Sequence, residues 1–222
     1  MKIFSEFGFF AGQRSPGGVL TIGGTAELEG AVSPNNGLPL IQHACLRLTP
    51  ELFWIPNWSA PEIRFLYSWK CNIHLGDFSY RHTSSAVTML EVQRGDDSAT
   101  FNFPYPHYPA RFEPVHLALE PISIEDQRLM LALNDDPRLA YRNKRAKWLY
   151  QPRHQFGGTP YLLQGEIEPK RCIVCGEEMP VIASIGNEAY SDERGFFGED
   201  FVQIVYWCCA PCQVISARNF AD

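Results

Sequence analysis

Positive charge is in short supply in this chain: 19 Lys and Arg stand against 25 Asp and Glu, a formal net charge of −6. General nucleic-acid binders carry the opposite balance, so nucleic acid is not the expected partner. Long apolar runs are also missing. None approaches the ~18 residues that a membrane-spanning helix needs, and no membrane role is expected. The opening residues Met1 to Phe10 include Lys2 and several apolar side chains, but Glu6 interrupts them and no small-residue cleavage site follows. No export signal is read there, which makes the cytoplasm the expected compartment. The seven cysteines are an odd number and suit metal or free thiols better than a disulfide framework. There is no G-x-S-x-G, no P-loop and no H-x-E, and the six histidines show no ligand spacing at i,i+3 or i,i+4. The paired acids Asp96-Asp97, Asp135-Asp136 and Glu177-Glu178 stand in turn contexts.

What is present is a globular composition, 45% hydrophobic, with 13% aromatics that suit strands and 17 Gly and 17 Pro that mark many turns. An internal repeat organises it. Ile22-Gly23-Gly24-Thr25-Ala26-Glu27-Leu28 is matched by Phe156-Gly157-Gly158-Thr159-Pro160-Tyr161-Leu162. Leu38-Pro39-Leu40-Ile41 is matched by Met179-Pro180-Val181-Ile182, and the aromatic run from Arg64 through Trp69 to Cys71 by the run from Gln203 through Trp207 to Cys209. Three blocks in one order point to a duplicated unit with pseudo-two-fold packing. The expected fold is α+β and β-rich: one compact domain over 1–222, made of repeats at about 20–120 and 154–222, joined by a helical connection over 121–153.

Short apolar or β-branched runs predict strands at Leu38 to Leu48, Ile63 to Cys71, Ala86 to Val92, Thr100 to Phe103, Val181 to Ile185 and Val202 to Trp207. Ser123 can cap a helix in which Ile124, Leu129, Met130 and Leu133 recur at helical spacing. A second helix is expected from Pro137, capped by Asp136, toward Trp148. The proline-rich stretch Phe103 to Pro109 cannot form a central strand. It is expected to be an extended aromatic arm, exposed or packed between the repeats. Arg138, Arg142, Lys144, Arg145, Lys147 and Arg153 crowd one stretch; the plain reading is a solvated helix face, the sharper one a contact with an acidic protein or RNA.

The strongest chemical signal is Cys172-Ile173-Val174-Cys175-Gly176 together with Cys209-Ala210-Pro211-Cys212. Two C-x-x-C turns supply four thiolates, the number that a closed structural zinc site takes. Cys172, Cys175, Cys209 and Cys212 are therefore the predicted zinc ligands; the alternative is four reduced thiols in a site that has lost its metal. The first repeat keeps only Cys71 at the matching place and should be metal-free. Trp207 before the second pair resembles a thioredoxin active site, but Cys208 intervenes and only ten residues follow Cys212. A zinc deaminase would need the missing H-x-E.

The pattern Gln155-Phe156-Gly157-Gly158-Thr159-Pro160-Tyr161-Leu162-Leu163-Gln164, then Cys172-x-x-Cys175-Gly176, Met179-Pro180 and Cys209-x-x-Cys212, resembles the bacterial YwqG-like domain and the C-terminal part of the programmed-cell-death-2-like proteins. The resemblance implies a duplicated β-rich fold, and either a chaperone-like role of shielding a client or an immunity-type role of neutralising a toxin. The expected function is accordingly a non-enzymatic module that binds a protein partner through Phe103, Tyr105, Tyr108 and Phe112. The alternative is an enzyme with a small-ligand site in the cleft between the repeats, using His74 or His107 with nearby acids.

Overall fold

The computed structural model describes residues 7–33, 37–49, 55, 57–67, 78–92, 109, 111–163, 169–187, 196 and 203–220. Their strands are β1 (Gly8–Arg14), β2 (Leu20–Gly24), β3 (Ile41–Arg47), β4 (Glu62–Tyr67), β5 (Phe78–His82), β6 (Val87–Val92), β7 (Phe112–Pro121), β8 (Gln155–Gly157), β9 (Val181–Gly186), β10 (Gln203–Cys209) and β11 (Val214–Phe220). They form one 11-stranded sheet in the order β4-β3-β2-β7-β1-β8-β9-β10-β11-β5-β6. Every strand pairing in it is antiparallel.

The sheet curls until β5 approaches the outer edge of β4. There the Tyr80 hydroxyl accepts from the Leu66 N–H at 2.9 Å and donates to the Arg64 carbonyl at 2.7 Å. A single side chain thus satisfies two backbone groups on an edge that has no strand partner among the described residues.

Eight of the strands are ordered so that exchanging β1–β4 with β7–β10 in the sequence β4-β3-β2-β7-β1-β8-β9-β10 gives the same sequence read from its other end. The registers agree. Ile22 pairs with Ala44 and Ala44 with Phe65; Phe156 pairs with Ala183 and Ala183 with Tyr206. The next step slips by one residue in both ladders, to Gln42↔Leu66 and to Val181↔Trp207, so that His43 and Ile182 fall in matching bulges. This register aligns Leu66 with Trp207, in place of the Trp69 match expected from the sequence. It also sets the Leu38–Ile41 and Met179–Ile182 blocks two residues out of step.

Both double-glycine turns end strands, β2 and β8, with φ of +77° and +94° at Gly23 and Gly24 and +69° and +65° at Gly157 and Gly158. At Gly23 a Cβ would stand 2.6 Å from the Glu113 carbonyl oxygen, so both the backbone conformation and the close approach of β7 require glycine. The irregularity in β7 opposite Gly23 also houses Pro114, which explains how a central strand tolerates a proline.

The inner face holds the main core, with Leu20, Ile22, Phe65, Phe78, Tyr80, Phe156, Ile185, Ile204, Tyr206 and Ile215 all inaccessible to solvent. Phe65 meets Phe156 and Tyr206 edge-on, at 5.4 and 5.1 Å between ring centroids. The helices α1 (Ile124–Asp135) and α2 (Lys144–Leu149) cover Phe10 and Ile122 in a second cluster. Ser123 caps α1 as expected, its oxygen accepting from Asp126 N at 3.0 Å. Met130 and Leu133 are buried, but Ile124 is exposed and the buried Gln127 takes its place on the packed face. The expected single second helix is two pieces: a 3-10 turn over Pro137–Tyr141, then α2, restarted by Asn143, whose Oδ1 accepts from Arg145 N and Ala146 N.

Candidate metal centre

β10 is buried on both faces, and its two-residue period sorts its side chains. Ile204, Tyr206 and Cys208 point into the main core, while Val205, Trp207 and Cys209 join Cys172, Met179, Val214 and Phe220 in a separate cluster on the opposite face. The adjacent cysteines therefore have different fates. Cys208 is a core residue, its thiol driven far above the usual range by burial. Cys209 opens a turn between β10 and β11 that carries Cys212 back toward it.

The first knuckle is closed by backbone bonds: Gly176 N donates to Cys172 O and Cys172 N to Glu177 O, both at 2.8 Å. Gly176 has φ +76° with open space around its missing Cβ, so it is the backbone conformation that requires glycine. The second knuckle ends at Gln213, a non-glycine residue at φ +57°. Its side chain holds the turn by donating to Ala210 O and Asn57 O and by accepting from Ser59 N and Oγ. Arg81 Nε from β5 donates to Cys212 O at 3.3 Å.

These elements bring Cys172, Cys175, Cys209 and Cys212 together, their sulfurs all within 4.8 Å of one another. The Cys175 and Cys209 sulfurs are 3.7 Å apart. A tetrahedron with metal–sulfur bonds of about 2.3 Å has edges of about 3.8 Å, so the spacing fits four thiolates around one ion. Burial pushes the Cys209 and Cys212 thiols up, while the Glu177 backbone N–H holds Cys175 below the usual thiol range. Four thiolates this close need a cation to ionise together. All four predicted ligands are thus in one cluster that could hold a metal ion.

The remaining predicted residues are not in this cluster. Phe112 is the first residue of β7 and is only 6% exposed; its ring stands 4.4 Å from Phe196 and 5.7 Å from His43. It is a core residue, and the arm's binding face loses it. Phe103, Tyr105 and Tyr108, and likewise His74, His107 and Cys71, lie outside the described residues.

Three buried titratable groups had no signal in the sequence. His43 is pushed down to about 3 by burial and by neighbouring His154. His82 is pushed down to about 4, chiefly by burial, and neither of its ring nitrogens has a hydrogen-bond partner among the described residues. Cys45 is pushed up to about 12 by burial and by Glu62, to which its thiol donates at 3.3 Å. Among the described residues no helix is long and apolar enough to cross a membrane. No family model, no curated protein and no solved structure matches the chain.

Proposed function

We propose that the protein is a zinc-stabilised, non-enzymatic protein-binding module of the YwqG-like type, built from two copies of one β unit. The observation that carries the reading is the four-cysteine cluster. Four thiolates fill a tetrahedral zinc, leaving no open position for water or substrate, which suits a structural role. The two-copy reading is supported by the strand order that survives exchange of β1–β4 with β7–β10, by the matching bulges and by the paired positive-φ glycines. On that reading the seam between copies is filled by the rings of Phe65, Phe156 and Tyr206, which favours binding over an enzyme with a cleft there.

Zinc–thiolate binding is worth on the order of 10 kcal/mol in small domains. Protein purified without chelator should contain stoichiometric zinc, and Cys172→Ser should lose it and melt at lower temperature. Elemental analysis finding no zinc, with all four thiols freely reactive, removes the metal from the account.

The partner, a client or a toxin, is bound on this reading by Phe103, Tyr105 and Tyr108, with Pro104, Pro106 and Pro109 limiting the entropy lost on association. Aromatic anchors of this kind are often worth about 2 kcal/mol or more each. Tyr105→Ala with Tyr108→Ala should abolish capture of the native partner and leave the melting temperature unchanged. Unfolding, or undiminished capture, rejects the assignment.

A further inference from the structure

Charge is unevenly spread along the chain. From Pro137 to Gly165 there are six Lys and Arg and no Asp or Glu, while the rest carries thirteen Lys and Arg against twenty-five Asp and Glu. Five of these six lie between Arg138 and Lys147, in and beside the helical pieces. In α2, Ala146 and Leu149 are buried, and the opposite arc carries Lys144, Arg145, Lys147 and Trp148. The 3-10 turn adds Tyr141, 84% exposed, and Arg142 follows it.

Part of this face is held rigid. Arg145 forms a two-point ion pair with Asp126 of α1, its Nε 2.8 Å from Oδ1. Its guanidinium also stacks on the half-exposed Trp148 ring, 4.1 Å from the centroid, and that of Arg153 stacks at 3.6 Å. Arg153 donates as well to the Trp148 carbonyl. Phe10 meets the indole edge-on at 5.4 Å. Arg142, Lys144 and Lys147 form no ion pair among the described residues.

We propose that this face binds a short acidic segment of a partner protein. The pairing of Arg145 with Asp126 already shows a carboxylate accepted at its edge in the bidentate geometry that guanidinium favours. Two observations favour a short acidic peptide over a nucleic acid. The face is short, since the six residues of α2 rise about 9 Å. Beyond it the excess of acid repels any polyanion that runs on.

The proposal rests on the protein-binding reading in taking a polypeptide as ligand. The test uses the whole chain and fluorescent hexaglutamate, followed by anisotropy at ~50 and ~300 mM salt. Binding should be present at the lower salt and weaken at the higher. The exposed substitutions Arg142→Glu, Lys144→Glu and Lys147→Glu together should weaken it about tenfold or more with the melting temperature unchanged. If that variant does not fold, Arg142→Gln with Lys147→Gln serves, with a smaller loss in the same direction. The proposal is overturned by no binding at low salt, by equal binding to the variant, or by an oligouridylate that binds more tightly than the peptide. The Tyr105 and Tyr108 pair tests the protein-binding reading by itself, and hexaglutamate tests only this face, so the two fail separately.

Discussion

His82 shows how a single side chain ties stability to pH. Its folded value is about 4 against an ordinary 6.5, because the ring is buried at the end of β5 against Trp58 and stands near Arg64. The folded protein keeps the ring neutral, whereas the unfolded chain takes up a proton as pH falls through 6.5. Between 6.5 and 4 the unfolded state therefore binds more protons, and stability present above that window is lost across it. His43, down to about 3 beside His154, acts with the same sign. At pH 5 each is expected to cost about 2 kcal/mol relative to pH 7. Urea unfolding at the two pH values should show the loss, and His82→Leu should flatten part of it. An unchanged midpoint would mean that these rings are hydrated in the folded protein. None of this is legible in the sequence, where no strand is read around His82; in the fold its ring packs against Trp58.

The sheet depends at its edge on one hydroxyl. Tyr80→Phe removes the side-chain partner of Leu66 N and Arg64 O on the outer side of β4, at almost no cost in volume. Leaving a buried N–H and a part-buried carbonyl unpaired should cost about 3 kcal/mol. Thermal melts that place the loss below about 0.5 kcal/mol would show water filling in. The runs that became β3, β4, β6, β9 and β10 were readable as strands because apolar and β-branched residues dominate them. β1 has two glycines in seven residues, β7 carries Pro114 and β8 is three residues long, so none has a strong local signature. β11 contains Ser216, Arg218 and Asn219 and persists because β10 and β5 pair with it from either side. Pairing, not propensity, makes these strands.

For the molecule as a whole, the metal cluster was legible in half its logic. Each C-x-x-C turn is local and its spacing is visible in the sequence; what joins the pairs is the β9–β10–β11 meander and the strand parity that sends Cys209 outward and Cys208 inward. The order of strands at the centre has a further consequence, in time. β1 is made first, yet its neighbours are β7 and β8, which end 107 and 143 residues after it. Likewise β5 waits for β11. A ribosome-bound chain that has emerged only as far as β6 therefore holds β1 with neither neighbour and β2 with only β3 beside it. Such edges pair readily with other chains. The segment 1–110 made alone should be insoluble or chaperone-bound, and the complete chain should refold slowly because its decisive pairings join distant residues. A soluble, monomeric 1–110 segment would show that the early strands find partners among themselves.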